Sequence, residues 1–142
     1  MGSRLGPWEI IGLAIDRLQL LKSDLTIRLR GSRATPWDII ARAREMLLEL
    51  EASKGITIHE IQFTATFEKW DDGIGVWIFF PADADLSEHD QRGITGEIEV
   101  DFRNILKQLR YPFRRFPRVG FVFDSDENVQ KNYEGSYFYR LR

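Results

Sequence analysis

The sequence predicts an α+β fold, in which an antiparallel, ferredoxin-like sheet of about five strands carries two or three helices on one face. Two kinds of observation predict it. Three segments have the apolar spacing of helices, and five short segments alternate in polarity or are continuously apolar. From Leu25 onward they follow the order strand, helix, strand, strand, helix, strand. The 142 residues, 43% of them hydrophobic, are expected to form a single domain over 1–142.

The first two helices are predicted from an internal repeat. Gly2, Ser3, Arg4, Pro7, Trp8, Ile10 and Ile11 recur as Gly31, Ser32, Arg33, Pro36, Trp37, Ile39 and Ile40. Each copy has an N-cap residue, a proline and an acid in order, which is typical of a helix start. We therefore expect helices over 7–21 and 36–53, the second ending at Lys54 and Gly55. The repeat is interpreted as a duplicated packing element, with a ligand-binding pair of tryptophans as the alternative.

Five segments are predicted to be strands. They are Leu25–Leu29, Ile61–Phe67, Val76–Phe80, Val119–Phe123 and Tyr137–Leu141. The second and third flank a turn at 71–73, which predicts a hairpin, and the third is apolar on both faces, which predicts a central strand. The polar stretch 82–96 and the Asp- and Asn-rich segment 124–135 are expected to be loops and turns. Between them, Phe102, Ile105, Leu106 and Leu109 have helical spacing, and this helix is expected to end at Tyr111 and Pro112.

Composition excludes several classes of protein. The chain has no cysteine, so it holds neither disulfides nor thiolate metal sites. The longest apolar stretch, Val76 to Phe80, is far shorter than the roughly 20 residues of a membrane span. Because the start also lacks the layout of a signal peptide, we expect a cytoplasmic protein with no membrane partner. A net charge of −2 gives no overall attraction to nucleic acid.

Charge is nevertheless segregated along the chain. An acidic block containing Asp83, Asp85, Glu88, Asp90, Glu97, Glu99 and Asp101 precedes a basic one. The basic block is the first candidate interaction patch and consists of Arg103, Lys107, Arg110, Tyr111, Phe113, Arg114, Arg115 and Arg118. A solvated helix face beside a neutralising acidic loop is its ordinary interpretation. The alternative is single-stranded nucleic-acid or RNA binding by segment 103–118, because cations bind phosphates and aromatic rings stack on bases.

The strand that follows the basic block also bears on this alternative. Segment 118–123 resembles in part the RNP1 strand of RNA-recognition domains, with Arg118, Gly120, Phe121 and Phe123 carrying the likeness. The resemblance covers six residues and lacks the first glycine of the motif, where Val119 stands. No family is assigned from it.

Sites for metal ions and catalysis have little support. Asp124, Asp126 and Asn128 have the spacing of the first half of a calcium loop, but Val129 occupies the glycine position. Asp124 and Asp126 are therefore weak metal candidates, and no cofactor is predicted. Two histidines, His59 and His89, are the whole histidine supply. Since no nucleophile or phosphate-loop motif accompanies them, an enzyme with an Asp-rich strand-end site is the third hypothesis.

The C-terminal segment supplies the second candidate interaction surface. Its members are Tyr137, Tyr139, Arg140 and Arg142, which have the composition of interface hot spots. On a strand, alternate residues would face the core and the solvent. The sequence therefore favours a non-catalytic protein-binding domain, an adaptor, inhibitor or assembly component whose partner is another protein or a second copy of itself.

Overall fold

The computed structural model describes residues 35–65, 67 and 73–142. In chain order the elements are α1 (Pro36–Ser53), β1 (Glu60–Thr64), β2 (Gly73–Phe80), α2 (Asp83–Gln91), α3 (Ile94–Gln108), β3 (Arg118–Ser125), α4 (Asp126–Asn132) and α5 (Tyr137–Arg140). The chain divides into two compact units. The described part of the first is 35–55 with Asn104–Tyr111, and that of the second is Ile56–Arg103 with Pro112–Arg142.

Helix α1 of the first unit begins and ends where the sequence predicts. Thr35 caps it, accepting from Asp38 N at 3.2 Å, while the Asp38 carboxylate accepts from Thr35 N at 2.9 Å. This reciprocal capping box satisfies amide groups that the helix itself leaves unpaired. At the other end Gly55 has φ +83, a conformation that glycine adopts without strain. The predicted helix over 36–53 is confirmed, whereas helix 7–21 lies outside the described residues.

The second unit contains a three-stranded sheet of order β1-β2-β3. Strands β1 and β2 form the predicted antiparallel hairpin, with Ile61 opposite Ile78. Strand β2 is central and pairs parallel with β3, from Gly73 beside Arg118 to Phe80 beside Ser125. Because β2 is covered on both faces, its side chains from Val76 to Phe80 are buried apart from the half-buried Trp77.

The connection from β2 to β3 is helical. Helix α2 follows β2 directly, and Thr95 and Ile98 near the start of α3 are buried. Phe102 of α3 is fully buried, with its ring centroid 6.0 Å from those of both Phe63 and Phe121. A helical crossover of this kind is what allows two successive strands to run parallel.

The predicted antiparallel, ferredoxin-like sheet of about five strands is therefore wrong. Within the described residues the sheet has three strands and is mixed, and five helices accompany it. In a ferredoxin-like sheet the strand predicted at 25–29 would separate β2 from β3, whereas here they are direct neighbours. That predicted strand lies outside the described residues.

Three local predictions also fail. The stretch 82–96 contains helix α2 and the start of α3, and 124–135 contains helix α4. Segment 137–141 contains helix α5, because the Ser136 hydroxyl caps it by accepting from Tyr139 N at 3.1 Å. Helix α2 escapes prediction because none of its residues is buried, so it has no apolar period to detect.

Candidate functional site

The carboxyl ends of the parallel strands β2 and β3 form a polar cluster. Phe79 lies beside Asp124 and Phe80 beside Ser125, and each strand leads at once into a helix. The Ser125 hydroxyl donates to Asp83 Oδ1 and accepts from Asn128 N, so one buried side chain joins the starts of α2 and α4. Glu127 returns the contact, accepting from Asp83 N at 2.9 Å. The two helix starts are thus fixed to each other at the end of the sheet.

Asp124 and Arg140 form an ion pair within this cluster. Arg140 Nε donates to Asp124 Oδ2, and their side chains are 22% and 10% exposed. The guanidinium group also lies over the rings of Trp77 and Tyr133, at 5.1 and 5.4 Å from their centroids. The pair therefore fastens helix α5 to the end of β3.

The environment of Asp124 keeps its carboxyl group ionised. Burial raises its pKa, but hydrogen bonds from Arg140, from Asn128 and from Ser125 N, with the positive charge of Arg140, outweigh burial and hold the pKa below the ordinary value of 3.8. A carboxylate so surrounded by donors is stable as an anion at neutral pH.

A second contact holds the same helix. The Tyr137 hydroxyl donates to Asp126 Oδ1 at 2.6 Å, and its ring packs edge-on against Phe79 at 4.7 Å. The hydrogen bond from Tyr137 lowers the pKa of Asp126, while burial and the neighbouring carboxylate raise the pKa of Tyr137. We call these two contacts, Asp124 with Arg140 and Asp126 with Tyr137, the C-terminal latch.

The latch places the remaining aromatic residues of α5 in solvent. Phe138 is 67% exposed and Tyr139 is 52% exposed, with their ring centroids 6.0 Å apart. The Arg142 guanidinium lies 5.0 Å from the centre of the Phe138 ring. We call Phe138, Tyr139 and Arg142 the aromatic patch. The structure thus separates the four predicted C-terminal candidates: Tyr137 and Arg140 are anchors, whereas Tyr139 and Arg142 are displayed.

The predicted basic patch draws its members from both compact units, and they differ in exposure. Its members fall in different compact units, with Lys107, Arg110 and Tyr111 in the first and the others in the second. Tyr111 is buried, Phe113 is half-buried, and Lys107, Arg110, Arg114, Arg115 and Arg118 are exposed. Phe116, the other ring of the segment, is also buried. Buried rings cannot stack on bases, so of the three rings in the segment only the half-buried Phe113 has a surface that a base could reach.

Arg103, the first member of that patch, has a structural role. It is half-buried, donates from Nη2 to the Val119 carbonyl oxygen at 2.8 Å and lies over the Phe121 ring at 5.3 Å. Arg103 also lines an open cleft of about 610 Å³ with Arg118, Gly73, Gly75 and Gly120. Among the described lining residues there is no histidine, aspartate or glutamate.

The segregation of charge in the sequence follows the helix ends. Asp83 and Asp85 lie in the first turn of α2 and Glu97 in that of α3, while Lys107 lies in the last turn of α3. These are the ends at which the helix dipole favours acids and bases respectively. The helix dipoles therefore account for these acids and for Lys107 without a ligand.

The described residues give no geometric support to the metal and enzyme hypotheses. Within 35–65, 67 and 73–142, no group of three histidine, aspartate or glutamate side chains is arranged to hold a metal ion. Asp124 and Asp126 are engaged in the latch instead. His59 Nε2 lies 3.5 Å from Asp126 Oδ1, and the His89 ring packs on Phe80, so the two histidines contact different residues.

Sequence reasoning missed two features of the site. Ser125 and Asp83 are 42 residues apart, so no local sequence pattern predicts their hydrogen bond. On the predicted strand, Phe138 would face the opposite side from Tyr139, whereas the helix exposes both. The serine at 136, a good N-cap residue one position before Tyr137, was the available signal for this helix.

Comparison with known proteins gives no match to a family model, to a curated protein or to a solved structure. In the part of the chain that the structure describes, no helix has both the length and the apolar character needed to cross a membrane. The cytoplasmic location stays a prediction.

Proposed function

We propose that this chain is a non-catalytic protein-binding module that engages its partner through the aromatic patch. The observation that carries the proposal is the exposure of two adjacent aromatic side chains, Phe138 at 67% and Tyr139 at 52%. Large apolar side chains displayed together are a feature of interaction sites. Tyrosine and arginine are also among the residues enriched at hot spots.

The latch supports this proposal by fixing the patch before a partner arrives. Helix α5 has only four residues and would not be stable alone. Arg140 and Tyr137 tie it to Asp124 and Asp126, so its exposed rings stand on an ordered base. Preorganisation reduces the conformational entropy that binding would otherwise cost.

The chemistry of the patch indicates the kind of surface it would contact. Phe138 and Tyr139 require an apolar pocket, and Arg142, which lies over the Phe138 ring, favours a carboxylate beside that pocket. The proposed partner is therefore a protein that presents an apolar depression flanked by an acid.

The test begins with the tagged full chain, recovered from its native cell after nuclease treatment. Partners that co-purify are identified for wild type, for Phe138→Ala/Tyr139→Ala and for Val100→Ala. Val100 is a matched control because it is an apolar side chain, 57% exposed, on another helix. The binding of each purified partner is then measured by titration calorimetry. We expect the double variant to weaken binding by at least about 30-fold, the loss typical of a hot spot, and the control to bind as wild type.

The proposal is wrong if the double variant binds every nuclease-resistant partner as tightly as wild type does, with an unchanged circular dichroism spectrum. Recovery that requires nucleic acid and is lost in Arg114→Glu/Arg115→Glu would instead favour the nucleic-acid hypothesis. Affinity that falls steeply with salt would accompany that outcome.

A further inference from the structure

Strand β3 lies at an edge of the described sheet. One side of it pairs with β2 from Arg118 to Ser125, and no described strand pairs with the other. The strand is long for an edge and its middle is apolar, with Phe121, Val122 and Phe123 each half-buried. Natural sheets protect such edges because unpaired backbone groups there accept a further strand.

The backbone groups that face outward can be identified from two hydrogen bonds. The Val119 carbonyl oxygen accepts from Arg103, and Ser125 N donates to the Asp124 side chain at 2.8 Å, so both groups point away from β2. Successive residues of a strand direct their amide and carbonyl groups to opposite sides. The backbone N–H and C=O groups of Phe121 and Phe123 therefore also point away from β2, whereas those of Val122 point toward β2.

The outward groups of the two phenylalanines have no partner in the described part of the chain. Within 35–65, 67 and 73–142, no other group forms a hydrogen bond with the outward N–H and C=O of Phe121 or Phe123. The free edge is thus short. Phe121 and Phe123 each offer one donor and one acceptor there, bounded at one end by Arg103 on the Val119 carbonyl oxygen and at the other by the Asp124 carboxylate on Ser125 N.

This arrangement is symmetric about Val122. Phe121 and Phe123 lie one residue to either side of it, and the two occupied positions, Val119 and Ser125, lie three residues to either side. We propose that β3 pairs antiparallel with β3 of a second copy of this chain, about a twofold axis at Val122. Phe121 of each copy then exchanges two hydrogen bonds with Phe123 of the other, which satisfies the outward groups of both phenylalanines in each copy.

The occupied ends fix this register. Continuing the ladder beyond the phenylalanines would set Val119 against Ser125 of the second copy, where the carbonyl oxygen of one and the amide of the other are already bonded within their own chains. Moving the axis by two residues would set Phe121 opposite Val119 of the second copy, or Phe123 opposite Ser125. One group of the opposed residue is then already bonded within its own chain. The four-bond arrangement centred on Val122 is therefore the one that pairs the outward groups of both phenylalanines.

Charge and side-chain chemistry favour a second copy as the occupant. Each strand begins at an exposed arginine, Arg118, and is followed at its other end by the acids Asp126 and Glu127 in the first turn of α4. Antiparallel pairing sets the basic start of one strand beside the acidic end of the other. On one face of the joined sheet, Phe121 and Phe123 of opposite copies become cross-strand aromatic neighbours, and on the other Val122 meets Val122 of the second copy.

The first test uses this self-contact in the full chain. Sedimentation velocity over a wide concentration range is recorded for wild type, Val122→Lys, Val122→Glu, and an equal mixture of the two variants, with Val100→Lys as the exposed-valine control. We expect wild type and the control to dimerise, each variant alone to be monomeric because like charges meet at the axis, and the mixture to dimerise again.

A second test does not require a charge at a half-buried position. Because the chain has no cysteine, Val122→Cys introduces its single thiol. Opposed residues in a non-hydrogen-bonded antiparallel pair have Cα atoms about 4.5 Å apart, within the range that a disulfide spans. Mild oxidation should cross-link Val122→Cys into a covalent dimer and leave Val100→Cys uncross-linked.

Three results would overturn the proposal. These are a wild-type chain that is monomeric throughout, a mixture of the folded charge variants that stays monomeric, or equal cross-linking at Val122 and Val100. The outcome is separate from that of the proposed function, since Phe138→Ala/Tyr139→Ala should leave dimerisation unchanged.

Discussion

Replacing Arg140 by methionine should detach helix α5 from the sheet and destabilise the fold. Breaking a buried ion pair by removing one partner costs about 3 to 5 kcal/mol, because the remaining charge is left uncompensated. Here Asp124 keeps its hydrogen bonds from Asn128 and Ser125, and the Arg140 side chain is 22% exposed, both of which reduce the loss. Losing the stacking of Arg140 on Trp77 and Tyr133 adds about 0.5 to 1 kcal/mol. We therefore expect Arg140→Met to lower the free energy of unfolding by about 2 to 4 kcal/mol.

The assay is urea unfolding followed by circular dichroism, arranged as a double-mutant cycle with Asp124→Asn. Once Asp124 is neutral, removing Arg140 should cost markedly less, so the two changes should not add. Arg142→Met is the matched control. It removes an exposed arginine from the same segment and should alter stability by less than about 0.5 kcal/mol. The reasoning is refuted if Arg140→Met costs no more than the control does, or if the two changes are additive.

Two further predictions concern acid and the tight approach of β2 to β3. The pKa of Asp124 is lowered on folding, so its contribution to stability is complete above the ordinary value of about 3.9 and disappears as pH falls through the folded-state pKa. Urea midpoints measured from neutral pH into that acid range should fall more for wild type than for Asp124→Asn, and equal slopes would contradict the assignment. Gly73→Ala should destabilise by about 1 to 3 kcal/mol, because its Cβ would lie 2.3 Å from the Arg118 carbonyl oxygen. Gly120→Ala, where a Cβ would meet nothing within 4 Å, is the control, and the packing argument fails if both substitutions cost the same in thermal unfolding.

The elements that sequence predicts well are those whose signals are local. Helix α1 carries its start signal in Thr35, Pro36 and Asp38 and its stop in Gly55, all within its own segment. Strands β2 and β3 contain continuous apolar runs, and β1 alternates in polarity beside β2. Each of these follows from a few neighbouring residues, so tertiary context does not alter them.

The elements that escape prediction are held by distant partners. Helix α2 buries none of its residues and is fixed through Asp83 to Ser125 and Glu127 of another segment. In α5, Tyr137 and Arg140 are one helical turn apart and both face inward, but alternation of aromatic and basic residues suggests a strand equally well. The parallel direction of β3 was likewise decided by the helical crossover, which the polar stretch 82–96 conceals.

The site could be predicted only in part for the same reason. Asp124 and Arg140 were both selected from the sequence, one as a weak metal ligand and the other as an interaction residue. They are 16 residues apart, and their pairing with each other depends on the whole C-terminal path. Arg103 was selected as a cation for a ligand, but its contact with the Val119 carbonyl oxygen is visible only in the folded chain.

The parallel pairing of β2 with β3 also determines what the growing chain exposes during synthesis. The partner of each β2 residue on β3 is synthesised about 45 residues later, as Arg118 is for Gly73. At the roughly 5 to 20 residues per second of translation, that neighbour arrives about 2 to 9 seconds later. During this interval the β2 sequence GIGVWIFF is uncharged and rich in β-branched and aromatic residues, and β1 is its one partner among the described strands. Such a segment is prone to intermolecular strand pairing, so slower translation between Phe80 and Arg118 lengthens the period in which nascent chains can aggregate.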